Sequence, residues 1–432
     1  MSSLAPGASS GTSKMELFDR LGEEVEQQWR DADYDELKLP AIAKAKLAEH
    51  DLPSKVTPWD VLEWAMATPE LTPQADANSN FGDPPITVYS GARFHIDVYF
   101  WFTGTTAIHQ HGFSGAFQVM AGSSIHSWYE FFPDDYVNVF MEYGRMELKL
   151  CEILDVGAVQ EINAGRGYIH SLFHLDDPSV TIVVRTRKSP MFLPQYSYHK
   201  PHLALDPFFV QDSMTRRVQS MGATLKARRS DADEKIGKML ANSDIHQTFH
   251  ILQNLRSMLR TDKVKQMFGV QNFDARFDAL FAISKARHGS RAERLLDVFE
   301  YQDKVTSIVN RRDYVTAPEL RFYLAVLLNI DGRENIYKLI NQRYPDADPQ
   351  DNVLDWTFDL ANTRVMGVDP PNALGIDRFG DIDLLIFEDL LNGRDSSAIG
   401  DSLRGQGAVV EDLRERISRI ESSPLLGALL KD

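Results

Sequence analysis

The sequence predicts an α+β protein: an all-β sandwich or barrel over residues 79–200, a helical segment before it (15–78) and a large helical domain after it (201–432). Three observations carry this. The segments FHIDVYFWF, AFQVMAGSSIHSWYEFF, YVNVFMEYG, MELKLCEILDV and VTIVVRT are short and rich in β-branched and aromatic residues, and Gly104, Gly122, Gly144, Gly157 and Gly165 punctuate them. Strand-length segments recurring every ~8–12 residues belong to sandwiches and barrels, and no amphipathic segment of helix length separates them, which argues against βαβ units. Outside this stretch the apolar period changes to that of a helix.

In chain order, MSSLAPGASSGTSK lacks a positive block ahead of an apolar one, so residues 1–14 read as a flexible tail and not as a secretory signal. Leu17, Leu21, Val25 and Trp29 recur every four positions on a charged background, and Pro40, Pro53 and Pro58 divide the segment into short helices. Residues 72–85, rich in Pro, Asn and Gly, lead into the strands. Beyond KSPMFLPQYSYHKPHLALDPFF, the segments IHQTFHILQNLRSMLR, FDARFDALFAISKAR, AERLLDVFEYQDKVTSIV, APELRFYLAVLLNI and VVEDLRERISRIESSPLLGALL all carry helical apolar spacing. They share no fixed repeat, so no solenoid is expected. Arg216, Arg217, Lys226, Arg228 and Arg229 read as a solvated face.

The 432 residues hold 62 Asp and Glu against 46 Lys and Arg, a net charge of −16. Affinity for phosphate rests on clustered Lys and Arg, so neither nucleic acid nor an anionic membrane surface is an expected partner. No stretch approaches the ~20 apolar residues of a membrane helix. Cys151 is the single cysteine, which removes any intramolecular disulfide or cysteine zinc cluster and fits a reducing, cytoplasmic setting.

The chemistry concentrates in TGTTAIHQHGFSGAFQVMAG and, about sixty residues on, NAGRGYIHSLFHLDDPSV. On a strand, His109 and His111 project from one face. His170, entering a neighbouring strand after Gly165 and Gly167, adds a third nitrogen. Three neutral imidazoles on one side of an octahedral ion leave the opposite positions open for a substrate and dioxygen together, as at non-haem Fe(II). Imidazole also suits zinc, copper and nickel, so donor type alone does not name the metal.

IHQH, the glycine that closes AFQVMAG, and GYIH resemble the two cupin motifs. FHIDVYFW followed by TGTTAIHQH, and GYIHSLFHLDDPSVTIVV, resemble the core strands of the cysteine dioxygenase-like thiol dioxygenases in order and spacing, over roughly residues 86–186. The resemblance implies a double-stranded β-helix with a metal in its mouth, bound by His109, His111 and His170. Gly115 and Ala116 stand where the general cupin motif has a ligating Glu, which favours the three-histidine subclass. Ala116 and Arg185 fall where animal-type cysteine dioxygenases carry a Cys–Tyr cross-link, and the family's carboxylate-clamping arginine falls near Pro84. A substrate other than cysteine is therefore implied.

Arg185, Arg93 and Arg166 are the nearest replacements for that clamp, able to grip a carboxylate or phosphate on two prongs, with Arg185 the best placed if VTIVVRT turns it inward. Tyr99 is the aromatic candidate for substrate contact, although Tyr99, Trp101, Phe117, Trp128 and Tyr129 also read as core. His174, four residues past His170, and His126, on a neighbouring strand, are candidate catalytic groups at the mouth. His246 and His250 have metal-ligand spacing on a helix, but Gln247 replaces the glutamate of H-E-x-x-H. Asp346, Asp348 and Asp351 lack the glycine and closing glutamate of a calcium loop.

The expected function is an Fe(II)-dependent oxygenase acting on a small-molecule substrate with dioxygen. A Zn, Ni or Mn ion acting as a Lewis acid in an isomerase or hydrolase is the first alternative. A ligand-sensing barrel whose helical domain binds a partner protein is the second. The helical domain is also the expected route to a homo-oligomer.

Overall fold

Alternation along the strands positions everything else. The computed structural model describes residues 11–75, 81–102, 106–260, 273–312, 314–366, 370–408 and 410–430. The tail expected over residues 1–14 lies largely outside these, as does Gly104, and the first helix, α1, is Gly11–Asp31. The chain forms two compact units: residues 1–129, 148–193 and 304–432, and residues 130–147 and 194–303.

In the first unit, β1 (Pro85–Ser90), β2 (Phe94–Trp101), β4 (Gly115–Ala121), β7 (Val159–Ile162) and β9 (Ser179–Thr186) form one antiparallel sheet in the order β1-β2-β9-β4-β7. A second sheet runs β6-β5-β8-β3, from β3 (Ile108–His111), β5 (Ser124–Asn138), β6 (Met141–Leu154) and β8 (Gly165–His174). Setting β1 aside, the first core strand pairs with the last, the second with the last but one, and so inward. That is the double-stranded β-helix, or cupin, topology of a jelly roll.

β2 is buried along nearly its whole length because both of its faces are covered. Phe94, Ile96, Val98 and Phe100 join Val180, Ile182 and Val184 of β9 in an outer layer against the N-terminal helices. Tyr99, with Phe117 of β4 and Val183 of β9, joins the barrel interior. The covering helices are α1, α2 (Leu39–His50) and α3 (Pro58–Ala67); α1 contributes Phe18, Leu21, Val25 and Trp29 from one helical stripe. Gly22 lets α1 approach the sheet: a Cβ there would stand 2.5 Å from the Tyr89 ring. Thr57 caps α3 reciprocally with Asp60, whose carboxyl is held down to about 2 chiefly by Lys14.

Behind the second sheet lie α9 (Pro318–Asn329), α10 (Arg333–Arg343), α11 (Pro349–Asn362), α12 (Asp381–Leu391), α13 (Ser396–Gly405) and α14 (Leu413–Glu421). Ile125, Cys151, Ile153 and Phe173 point out of the barrel into their common core. α9 is buried on all sides from Phe322 to Leu328 and is the centre of this layer.

The second unit holds the ends of β5 and β6, the short strands β10 (Ser197–His199) and β11 (Leu203–Leu205), and the helices α4 (Asp212–Lys226), α5 (Ala232–Ala241), α6 (Ile245–Arg260), α7 (Phe273–His288) and the start of α8 (Ser290–Arg312). Its core packs Met141, Tyr143, Leu203 and Leu205 against Ile236, Phe249, Leu252 and Phe299. Among the described residues no helix is long and apolar enough to cross a membrane.

Candidate metal centre

β3 sends His109 and His111 into the barrel from one face. The antiparallel neighbour β8 sets His170 opposite His109, and the register then shifts so that Gly165, at φ +74°, stands opposite His111. The three imidazoles converge. Their ring centroids lie 4.6, 4.9 and 5.0 Å apart, and one nitrogen from each falls within 4.8 Å of the others. His111 Nε2 and His170 Nε2 are 2.9 Å apart. His109 Nδ1–H donates to the carbonyl of Ala107 at 2.7 Å, which leaves the lone pair on Nε2, and that buried atom has no partner.

Burial lowers the pKa of all three rings, and the neighbouring histidines depress His111 and His170 further. They are buried neutral bases, with the His109 tautomer fixed by a backbone carbonyl. That is how a ligating histidine is prepared for a divalent cation. The orphaned His109 nitrogen and three imidazoles converging within 4.8 Å fit such an ion. Among the described residues no carboxylate joins the cluster.

The cavity over the triad measures about 40 Å³ and is walled by Tyr99, Trp101, Phe113, Phe117, Ile162, Leu172 and Val183, with Thr106 and Thr181 between them and Phe81 at the rim. Phe81 meets His109, Tyr99 and Trp101 edge-on at 5.8, 5.8 and 5.0 Å.

The remaining sequence candidates divide. Tyr99 lines the cavity. Arg185 is buried beside it, with Nε 3.1 Å from Asp97 Oδ2 and its guanidinium 4.7 Å from the Phe113 ring. Arg93 stands exposed over the Tyr34 ring and Arg166 is exposed at the start of β8; neither lines the cavity. His174 stacks on Trp101 at 4.8 Å and shares a 2.9 Å hydrogen bond with Ser124 Oγ, and burial pushes its pKa down to about 3. His126 sits in a chain: its Nδ1–H donates to Glu152 at 3.0 Å, and its Nε2 accepts from Tyr168 Oη at 3.0 Å. Tyr168 in turn lies 4.3 Å from the His170 ring. His246 and His250 sit on α6, with ring centroids 5.1 Å apart and no third ligand within reach among the described residues. Asp348 caps α11, accepting from Gln350 N.

Sequence reasoning missed Asp97, Glu152 and Tyr168. Asp97 was visible as the one acid in FHIDVYFW at an inward position. Tyr168 lies two residues before His170 and so on the same face, a signal of equal strength to the H-x-H spacing.

No protein family and no curated protein matches the chain. Solved structures with partial likeness include TT1209 from Thermus thermophilus (14% identity, 28% of this chain and 100% of that one, TM-score 0.19). An uncharacterized conserved protein with a double-stranded β-helix domain from Klebsiella pneumoniae matches at 15% identity over 30% of this chain and 87% of that one, TM-score 0.18. The DMSP lyases RdDddP and RnDddQII match at 13% identity over 42% of this chain and 96% of that one, TM-score 0.23. At these scores the fold rests on the strand pairing described above and not on the likenesses.

Proposed function

We propose that this protein is a metal-dependent oxygenase with a three-histidine site, resembling the cysteine dioxygenase-like cupins but acting on a small molecule other than cysteine, in a reducing, cytoplasmic setting. The observation that carries this is a buried set of three neutral imidazoles without a carboxylate among the described residues, which leaves half of an octahedral shell open. His109, His111 and His170 would hold the ion. Fe(II) bound there supplies the one-electron chemistry that dioxygen needs. The aromatic and aliphatic wall gives the site apolar surroundings. The Glu152–His126–Tyr168 chain keeps a proton on Tyr168 Oη beside His170 and links it to a carboxylate that reaches solvent.

The test is elemental analysis of protein purified anaerobically without added metal, followed by oxygen uptake against a panel of small thiols and amines. One iron per chain and substrate-dependent uptake, both lost in His109→Ala, are expected. A His111→Ala variant with full metal and full turnover overturns the reading. Zn, Ni or Mn in place of iron, with turnover indifferent to oxygen, converts it to a Lewis-acid isomerase or hydrolase.

A further inference from the structure

The cavity over the triad has no charged residue in its described wall. Apart from the three histidines, its polar side chains are engaged in hydrogen bonds. Tyr99 Oη donates to Asp97 Oδ2 at 2.9 Å. Trp101 Nε1–H donates to Thr181 Oγ1 at 3.1 Å. Thr106 Oγ1 donates to the Leu172 carbonyl at 3.1 Å and accepts the Leu172 N–H at 2.8 Å.

Arg185 is the cation buried beside the triad, and Asp97 holds it. Both side chains are buried, at 7% and 3% exposure, and face each other at 3.1 Å. Thr87 Oγ1 donates to Asp97 at 2.7 Å, and His95 Nε2 lies 3.2 Å away. Burial works against the Asp97 charge, yet His95, Arg185 and Thr87 together bring the carboxyl down to about 2, so the pair is an ion pair. A carboxylate entering the cavity would have to compete with Asp97 for the Arg185 guanidinium. Without a counter-charge, burying it costs several kcal/mol.

Size narrows the choice further. A cavity of about 150 Å³ holds benzene; this one is about 40 Å³, with the Phe81 ring at its rim against Trp101. We infer that the site accepts a compact, apolar molecule that carries no charge beyond the single donor atom meeting the metal, with Asp97 (by withholding Arg185) and Phe81 (by roofing the cavity) as the residues that set this preference. The inference rests on the triad holding a metal, as proposed above.

Co(II)-loaded full-length protein gives a readout independent of turnover, since thiolate binding to cobalt produces a charge-transfer band. Ethanethiol and 3-mercaptopropionate present the same donor and differ in a carboxylate. The expected result is at least 100-fold tighter binding of ethanethiol. In Asp97→Asn the preference narrows at least tenfold, because Arg185 is released to the carboxylate. Phe81 is 42% exposed, so Phe81→Ala should leave the fold intact. It is expected to shift the preference about tenfold toward benzyl mercaptan over ethanethiol. Equal or tighter binding of 3-mercaptopropionate by the unaltered protein overturns the inference while leaving the metal site standing. Failure of cobalt to bind, or binding unaffected by His111→Ala, overturns the metal reading and the inference with it.

Discussion

Two histidine pairs in this chain have the spacing of metal ligands, and the structure treats them in opposite ways. His109 and His111 lie on a strand in the first unit; His246 and His250 lie four apart on α6 in the second. At the strand pair, the Ala107 carbonyl accepts a hydrogen bond from His109 Nδ1–H, which leaves a lone pair on Nε2. At the helix pair, Asn138 uses its Oδ1 to accept the Phe140 N–H at 2.8 Å, so its amide nitrogen faces His246 Nδ1 at 3.4 Å. An amide nitrogen only donates, so His246 Nδ1 accepts and its proton sits on Nε2. The first arrangement presents bases to a cation and the second presents a donor. The third ligand follows the same division, with His170 completing one cluster and nothing completing the other among the described residues. Spacing places imidazoles together; the group behind each ring decides what they can bind.

The comparison can be broken in three ways, the largest first. In the barrel the polar groups near the site satisfy each other, so removing one should be felt as stability. Asp97→Ala leaves the Arg185 charge buried without its carboxylate and should cost about 3–5 kcal/mol in chemical denaturation. An effect near zero would mean that Arg185 is able to reach elsewhere. Next, His111→Ala should weaken metal binding more than ~100-fold, beyond the 10–100-fold that outer-shell partners alone contribute. His246→Ala should leave it unchanged in isothermal titration. The third swaps the tautomer: Asn138→Asp offers His246 Nδ1–H an acceptor and frees Nε2 for a cation. It should raise Zn(II) affinity at α6 by about 10-fold. No gain would mean that the group behind the ring does not control the site.

The barrel was legible because its signals are local. His109 and His111 share a strand, and GYIH carries His170 in a recognisable frame. The Asp97–Arg185 pair was not, since it exists only through the β2–β9 register, which sets His95 opposite Arg185. Nothing in VTIVVRT says which strand lies beside it. The helices could be read from periodicity, with α9 the instructive exception. Residues 322–328 are all buried, so the segment has no polar face and no stripe to show which neighbours it meets. KSPMFLPQYSYHKPHLALDPFF reads as a transition into helix, yet it holds β10 and β11, three residues each and too short for alternation to register. The split of the helical half between two units depends on contacts among distant segments, which period and composition do not encode.

The last comparison sets the two units against each other through pH. Burial pushes the His174 ring, in the first unit, down to about 3, and loss of solvent pushes the half-buried His199, in the second, down to about 4. An unfolded histidine titrates near 6.5. Between the folded and unfolded values the unfolded chain binds a proton that the native chain refuses, so stability is full above ~6.5 and falls as the solution is acidified. Each ring contributes a slope of up to about 1.4 kcal/mol per pH unit. His174→Asn and His199→Asn in metal-free protein should therefore each flatten the acid side of a melting-temperature profile and leave pH 7.5 to 8.5 parallel to the unaltered chain. The two should part below about pH 4, where His199 has taken its proton and only the His174 slope continues. Superimposed profiles down to pH 3.5 would show that Trp101 and Ser124 do not keep the His174 ring neutral in the folded barrel.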